Sequence, residues 1–378
     1  MKEQNVMVRY RNTWAEIDLE AIRQNVVQLK TLLPNNRNIM GVVKADGYGH
    51  GSVEVAKAIV ESGIDHLMVA YLEEAVKLRE CGIKEPILVI GRIPPKYVPV
   101  AIKHDITLAV FQLEWIQDVL EQSLKGTLSI HLEFETGFNR TGIHSKQALH
   151  EIIDTVKEAP GLIEITGAYT HFATADEIDS VHYERQKKRY EAMLYELERS
   201  YDAPIVTHIG NSAAVIQYPE QMRQYTRIGI SLYGLYPSRQ IKQLKKIRLK
   251  QAFSLFSELI EVKQIEPGDY IGYGITYEAT EAEWIGTVPI GYADGWPRAL
   301  QGFHVLVAGR KQPIVGRICM DMLMVKLDQQ YAVGEKVTLI GENNSSEISI
   351  DEVASYLKTI NYEIPCMITS RVPREYIN

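Results

Sequence analysis

Cysteine is scarce in this chain. Cys81, Cys319 and Cys366 are the only three among 378 residues. Their odd number and wide spacing exclude a disulfide framework and a CxxC metal knuckle, and fit a reducing compartment. Long apolar runs are missing too. None approaches the length that spans a bilayer, and the opening MKEQNVMVRYRN has no signal-peptide core. Nor is there an excess of positive charge: 41 Lys+Arg stand against 48 Asp+Glu, for a net charge of -7. Wholesale binding to nucleic acid or to an anionic membrane calls for the opposite sign. One basic stretch, RQIKQLKKIRLKQ at 239–251, reads as a solvated face or linker. The histidines show no HExxH or comparable ligand spacing, so no metal site is expected. No GxSxG elbow is present and Cys319 has no identifiable histidine partner, which disfavours acyl transfer. These absences describe a soluble cytoplasmic protein.

What the chain does hold is length and alternation. Its size allows two to three domains, or a large barrel with a smaller partner. From residue 14 onward, short apolar segments alternate with helical ones, the pattern of βαβ units and a parallel sheet. The candidate strands are Trp14–Ile17, Ile39–Val43, His66–Ala70, Pro86–Ile90, Ile106–Val110, Leu128–Glu133, Glu164–Thr170, Ile205–Ile209 and Tyr225–Ile230. A TIM-type (β/α)8 barrel uses eight strands, so one is surplus. Trp14–Ile17 is the expected outsider, pairing with whatever follows the barrel. Asp18 is placed to cap a helix reaching Leu33, Ser52 one reaching Ser62, and Gly82 to end the helix before it. After Arg239, strand-like segments are separated by turn signals at Glu266–Asp269, Gly309-Arg310 and Gly341–Asn344. One late helix is expected behind a capping box at Ser349 and Glu352. The expected fold is α/β plus β: a barrel over 1–240 and a mainly antiparallel β domain over 241–378, with residues 1–17 packing against the latter.

Chemistry gathers at the expected strand ends. Met40-Gly-Val-Val-Lys44 closes the first barrel strand and runs into Ala45-Asp-Gly-Tyr-Gly-His-Gly51. An arbitrary strand-end lysine is a surface residue more often than not. One in a barrel mouth is partly desolvated, which lowers its pKa and suits it to Schiff-base or general-base work. The glycines are spaced GxGxG rather than GxGxxG, and no Walker GK[ST] is present, so a nucleotide fingerprint is weak here. His208-Ile-Gly-Asn-Ser212 and Arg227-Ile-Gly-Ile230 follow the seventh and eighth barrel strands, where this fold commonly binds phosphate. Each alone is compatible with ordinary loop chemistry. Together with Lys44 they outline a lysine across a barrel mouth from a phosphate cradle, which is what pyridoxal phosphate (PLP) requires.

VVKADGYGHG resembles the PLP-lysine signature of the alanine racemase family. THFATADE, GNSA, RIGISLYGL, IGYG, IGTVPIGYADG and GRICMDM are similar to further family segments, in the same order. The resemblance covers essentially the whole chain. It implies a homodimer with shared active sites that interconverts L- and D-alanine for peptidoglycan. Racemisation removes a proton from one face of a planar centre and returns it on the other, so two acid/base groups are needed. The resemblance makes them Lys44 and Tyr273, the latter from the partner subunit's β domain. A free phenol has a pKa of about 10, and the resemblance places His171 and Arg227 behind Tyr273 in a hydrogen-bonded relay. Arg227 is further implied to donate to the pyridine nitrogen of PLP. Tyr48, Asn211, Ser212, Gly229 and Ile230 match cofactor contacts, largely at its phosphate. Arg140 and the Met320 backbone match groups that meet the substrate carboxylate, and Tyr292 matches a tyrosine narrowing the entrance.

Two positions depart from the family pattern. Glu133 stands where many members carry a lysine that can be carbamylated, and is expected to act as a permanent anion orienting Arg140. Ser370 stands where several relatives have a tyrosine, which implies a roomier pocket and some serine racemisation. Two alternatives remain open: a PLP-dependent decarboxylase of similar architecture, and a noncatalytic PLP-binding protein.

Overall fold

The computed structural model describes residues 10–178 and 180–378. Most of the segment on which the signal-peptide reading rests, residues 1–9, lies outside them. The chain packs as two compact units. One comprises Ala21–Gly47 and Ser52–Gln251; the other comprises the chain up to Glu20, Tyr48–Gly51 and Ala252–Asn378.

The first strand, β1 (Thr13–Asp18), belongs to the second unit. The next eight form the barrel: β2 (Asn38–Val42), β3 (His66–Val69), β4 (Ile87–Val89), β5 (Ile106–Val110), β6 (Leu128–Glu133), β7 (Ile163–Tyr169), β8 (Val206–Gly210) and β9 (Tyr225–Ile228). All are parallel, and β9 returns to pair with β2, closing the ring. Such strands are covered on both faces and read as near-continuous aliphatic runs; β4, for instance, is Ile87-Leu88-Val89, all buried. The helices between them bury one stripe each. In Lys146–Glu158 the buried residues are Leu149, Ile152, Ile153 and Val156, at the i, i+3, i+4, i+7 spacing of one helical face. Ser145 caps that helix by accepting the Ala148 N–H. Besides Thr226, the buried polar side chains inside the barrel strands are His131 and Glu133 in β6, His208 in β8 and Arg227 in β9. Burying such groups is costly unless they are paired, so they mark where the barrel is built for something other than stability.

The second unit holds β10 (Phe253–Glu258), β11 (Glu261–Ile265), β12 (Glu283–Val288), β13 (His304–Val307), β14 (Arg310–Val315), β15 (Leu323–Leu327), β16 (Lys336–Asn343), β17 (Ser346–Ile348) and β18 (Arg374–Ile377). The sheet runs β11-β12-β15-β14-β13-β16-β10-β1-β18, with β17 paired to β16. Every pair is antiparallel except β1 with β18. The surplus strand of the sequence reading thus pairs with β10, Trp14 opposite Phe256. Two details differ from that reading. Gly341–Asn344 does not break the strand: β16 continues to Asn343, paired with Ser346, and the turn falls at Asn344 with φ 55°. A second short helix, Glu363–Met367, follows the expected Ile350–Leu357, which Ser349 caps by accepting the Glu352 N–H. A single turn is too short for its periodicity to show. No helix among the described residues is long and apolar enough to cross a membrane.

Candidate active site

The C-terminal ends of the barrel strands bring most of the expected residues together. Register pairs Met40 with Arg227 and Gly41 with Ile228, so Lys44, just past β2, neighbours the end of β9. After β9 the chain enters a single helical turn, Ile230–Tyr233, opened by Gly229. After β8 it enters the helix Ser212–Gln217. Ser212 is its first residue, so its hydroxyl stands at the helix start, and Asn211 caps the helix, its Oδ1 accepting the Ala214 N–H at 3.0 Å. Ser212 Oγ accepts the Gly229 N–H at 3.2 Å and the Ser231 N–H at 3.5 Å, tying the two helical starts side by side. With the Ala214, Gly229 and Ser231 amides so engaged, the Ile230 amide of one turn and those of Ser212 and Ala213 in the other have no acceptor within their own helix, which suits them to an anion.

Arg227 organises the next layer. Nη1 donates to the His208 carbonyl at 2.8 Å and to His208 Nδ1 at 3.2 Å. Nη2 donates to the carbonyls of Thr170 at 2.6 Å and Ile209 at 3.2 Å, and to His171 Nδ1 at 3.2 Å. No carboxylate is among these partners, and none of the bonds uses Nε. Burial pushes the guanidinium pKa down to about 10, which leaves it cationic at neutral pH. Because guanidinium only donates, both histidines accept through Nδ1 and carry their proton on Nε2. His208 Nε2 then donates to His131 Nδ1 at 2.9 Å. All three imidazoles are held neutral. Burial lowers His131 to about 3. Burial, then the Arg227 charge, holds His208 well below the usual histidine range; for His171 the charges of Arg140 and Lys44 add to the same two causes. Tyr169 stacks on His208, ring centroids 4.7 Å apart and 11° from parallel, with the Arg227 guanidinium 5.2 Å from its ring. Gln186 fixes the loop that carries His171: Nε2 donates to the His171 carbonyl and Oε1 accepts the Ala173 N–H, both at 2.9 Å.

Glu133 ends β6 and is buried. Its Oε2 accepts the Thr141 hydroxyl at 2.9 Å. Burial raises its pKa, against the pull of Thr141 and of the Arg140 and Arg227 charges. The Arg140 guanidinium lies 4.5 Å from the Phe138 ring. No hydrogen bond joins Glu133 to Arg140 among the described residues, so any orienting of Arg140 by Glu133 acts through its charge. Thr141, the residue after Arg140, takes the carboxylate, and Glu133 reaches Arg140 only through space.

The remaining expected residues belong to the second unit. Tyr273 is 72% exposed on a loop between Gly272 and Gly274. Both glycines have positive φ, 71° and 74°, and a Cβ at Gly274 would lie 2.7 Å from Arg317 Nη1, so the loop requires glycine. Met320 and Tyr292 are also exposed and sit on adjoining loops, with the Ala293 N–H donating to the Met320 carbonyl at 3.0 Å and the Tyr292 N–H to Cys319 at 3.1 Å. Tyr48 packs its ring 6.2 Å from Tyr362, and burial raises its phenol pKa. Ser370 is exposed. No cluster of three or more His, Cys, Asp or Glu among the described residues is placed to hold a metal.

Sequence reasoning missed Tyr169 and the His131–His208 chain. The available signal was two histidines within apolar strands two apart in the barrel, where a buried polar group needs a partner.

Comparison with known proteins decides the lineage. Residues 17–237 match the profile described as alanine racemase, N-terminal domain, and residues 252–376 that of the C-terminal domain. The chain belongs to the alanine racemase family. It is 47% identical over 366 residues to alanine racemase of Geobacillus stearothermophilus, covering 97% of this chain and 93% of that protein. Alanine racemase 1 of Bacillus subtilis (strain 168) is 44% identical over 368 residues, 97% of this chain and 94% of that one. The crystal structure of alanine racemase from Bacillus anthracis with bound L-Ala-P superposes with a TM-score of 0.95 at 43% identity, covering 98% of this chain and 96% of that one. The family's fold, an eight-stranded barrel with a mainly antiparallel β domain, is the fold of this chain.

Proposed function

We propose that this chain is a PLP-dependent isomerase that interconverts L- and D-alanine in the cytoplasm and supplies D-alanine for peptidoglycan, with sites shared across a homodimer. The donor set of the barrel unit fits PLP. Lys44 is the amine for its aldehyde; Ser212 and the Gly229–Ile230 stretch suit its phosphate, with Asn211 capping the helix that Ser212 begins. Arg227 is a buried cation whose Nε takes part in none of the bonds above and suits the ring nitrogen. When bound, PLP draws electron density from the substrate α-carbon, so that its hydrogen leaves as a proton.

The chain's residues do the rest. Lys44 Nζ holds or delivers the proton on one face of the α-carbon, and the phenol oxygen of Tyr273, from the partner's β domain, does so on the other. His171, neutral and carrying its proton on Nε2, offers that N–H to the Tyr273 oxygen and eases its ionisation. Arg227 donates to the ring nitrogen without surrendering its proton, which keeps the electron sink weak and favours return of the proton to the α-carbon. Arg140 and the Met320 backbone take the substrate carboxylate. Tyr292 narrows the entrance, lining a concavity of about 390 Å³ with Pro297, Arg298, Met367 and Thr369. With Ser370 in place of a larger side chain, serine turns over slowly as well.

The exposed loop residues of the second unit support the shared site. Tyr270, Tyr273, Ile275, Met320 and Met322 are all large and exposed on the 270–275 and 320–322 loops, and apolar side chains left exposed in such number suit a surface that a partner covers. That Arg227 hydrogen-bonds carbonyls and imidazoles, with no carboxylate among those partners, carries the choice of reaction: a decarboxylase of this architecture places a glutamate against the ring nitrogen. Tyr273 on a full β domain weighs against a noncatalytic PLP binder. Incubating the PLP-loaded protein with L-alanine, followed by chiral chromatography and carbon dioxide trapping, tests the reading. Equal final amounts of both enantiomers without gas are expected; carbon dioxide, or unchanged L-alanine, overturns it.

A further inference from the structure

Lys44 is followed by a left-handed backbone turn. Ala45, Asp46, Gly47 and Tyr48 have φ of 52°, 51°, 64° and 52°. Only glycine enters this region freely, so three of the four residues adopt it because something holds them there. Two carboxylates do. Glu74 Oε1 accepts the Ala45 N–H at 2.6 Å, while its Oε2 accepts the N–H groups of Ala70 and Tyr71 at 2.8 and 3.1 Å. One side chain therefore caps its own helix, Leu72–Glu80, and clamps the residue next to the lysine. Asp46 Oδ1 accepts the Ser52 N–H at 3.1 Å, the Ser52 hydroxyl at 3.0 Å and the Lys77 ammonium at 3.0 Å. This folds the turn back onto the start of helix Ser52–Glu61. On the other side of the lysine, the Val43 N–H donates to the Met68 carbonyl at 2.9 Å, and the Gly47 N–H reaches the Val43 carbonyl at 2.9 Å.

The backbone at Lys44 is thus pinned between an anchored Val43 and an anchored Ala45. We propose that Asp46 and Glu74 are positioning residues for Lys44, holding the left-handed turn that sets the direction of its side chain and hence of its nitrogen. The inference rests on the reading of Lys44 as the PLP lysine and one of the two bases. Neither carboxylate belongs to the barrel core: Asp46 is exposed and Glu74 half-buried. Glu74 accepts from backbone amides just past β2 and β3, those of Ala45, Ala70 and Tyr71, and Asp46 accepts from Ser52 and Lys77. Relaxation of Ala45 or Asp46 to the right-handed region would re-aim Lys44, and small displacements of a reacting group are expensive in rate.

The test uses the full-length dimer with PLP. D46A removes the acceptor for Ser52, D46N restores it, and E74Q leaves Glu74 one acceptor oxygen where two are used. For D46A and E74Q the expected result is a kcat about tenfold or more below wild type in both directions, with KM for alanine changed less than about threefold. The pH at which the cofactor–lysine absorbance titrates should shift, and borohydride trapping of the cofactor on Lys44, read by peptide mass spectrometry, should be slower. D46N should recover most of the rate. A purely structural role would lower the melting temperature without moving the absorbance titration. Wild-type kcat, titration and trapping in D46A and E74Q overturn the proposal. Should D46A fail to fold, E74Q and D46N, which keep side-chain shape, decide it by the same readouts. Failure of the wild-type protein to trap PLP on Lys44 overturns the underlying reading instead, so the two failures are distinguishable.

Discussion

Acidification from pH 7 to pH 5 should destabilise this protein through the neutral histidines behind Arg227. His131 is lowered by burial to about 3, while an unfolded chain has a histidine pKa of about 6.5. With the folded pKa depressed, the unfolded state binds the extra proton. Stability is therefore full above about 6.5 and falls as the pH drops from there toward 3. At pH 5 the unfolded imidazole lies about 1.5 units below its pKa, so the proton favours unfolding by about 2 kcal/mol. His171 and His208 are lowered as well and add in the same direction. Glu133 opposes them: burial raises its pKa, so its contribution is present at low pH and lost as the pH rises above the usual carboxyl range. Comparison of wild type with H131N isolates the histidine. Urea unfolding at pH 7 and pH 5, at fixed protein concentration, should show about 2 kcal/mol more loss in wild type than in H131N. Equal losses in the two proteins, or an imidazolium NMR signature for His131 at pH 6, would refute the tautomer chain Arg227–His208–His131.

Substitution of Glu133 by Gln keeps an acceptor for Thr141 but removes the buried charge felt by Arg140 and Arg227; PLP affinity and alanine rate should fall about threefold to tenfold, and unchanged values in a PLP titration and rate assay would end the role of that charge. S370Y should lower the serine-to-alanine ratio of kcat/KM by about tenfold, a change absent if Ser370 does not shape the pocket. In G274A, a side chain is forced onto a backbone with φ of 74°, so alanine turnover should drop while the cofactor–lysine absorbance of the barrel stays as in wild type.

The barrel was readable in the sequence because its strands are covered on both faces: uninterrupted runs such as Ile106–Val110 announce themselves without alternation. The destination of β1 followed from counting, since a closed ring holds eight strands. The hairpin after β16 starts later than expected because Gly341 and Asn343 are turn formers by type, yet both stay paired with β17; Gly341 does so even at φ 113°, and the chain turns at Asn344. Lys44 was visible from its place after an apolar strand, and Ser212 and Gly229 from theirs. Tyr273 was visible only through its family segment, because one tyrosine among 21 carries no local signal. The partners of Arg227 lay beyond reach for another reason. Thr170, His171, His208 and Ile209 converge on it from two other strand ends, and such convergence depends on barrel register rather than on spacing along the chain. The departure at Glu133 was readable in the sequence, but its hydrogen bond from the Thr141 hydroxyl was not.

If, as proposed, the two proton-handling groups come from different chains, mixing two inactive variants will restore activity. K44A and Y273A homodimers should each be inactive. After subunit exchange at equal amounts, half of the dimers are mixed and each holds one intact site, so about a quarter of wild-type activity should return. No recovery, with exchange shown by mass spectrometry of differently tagged chains, would contradict it.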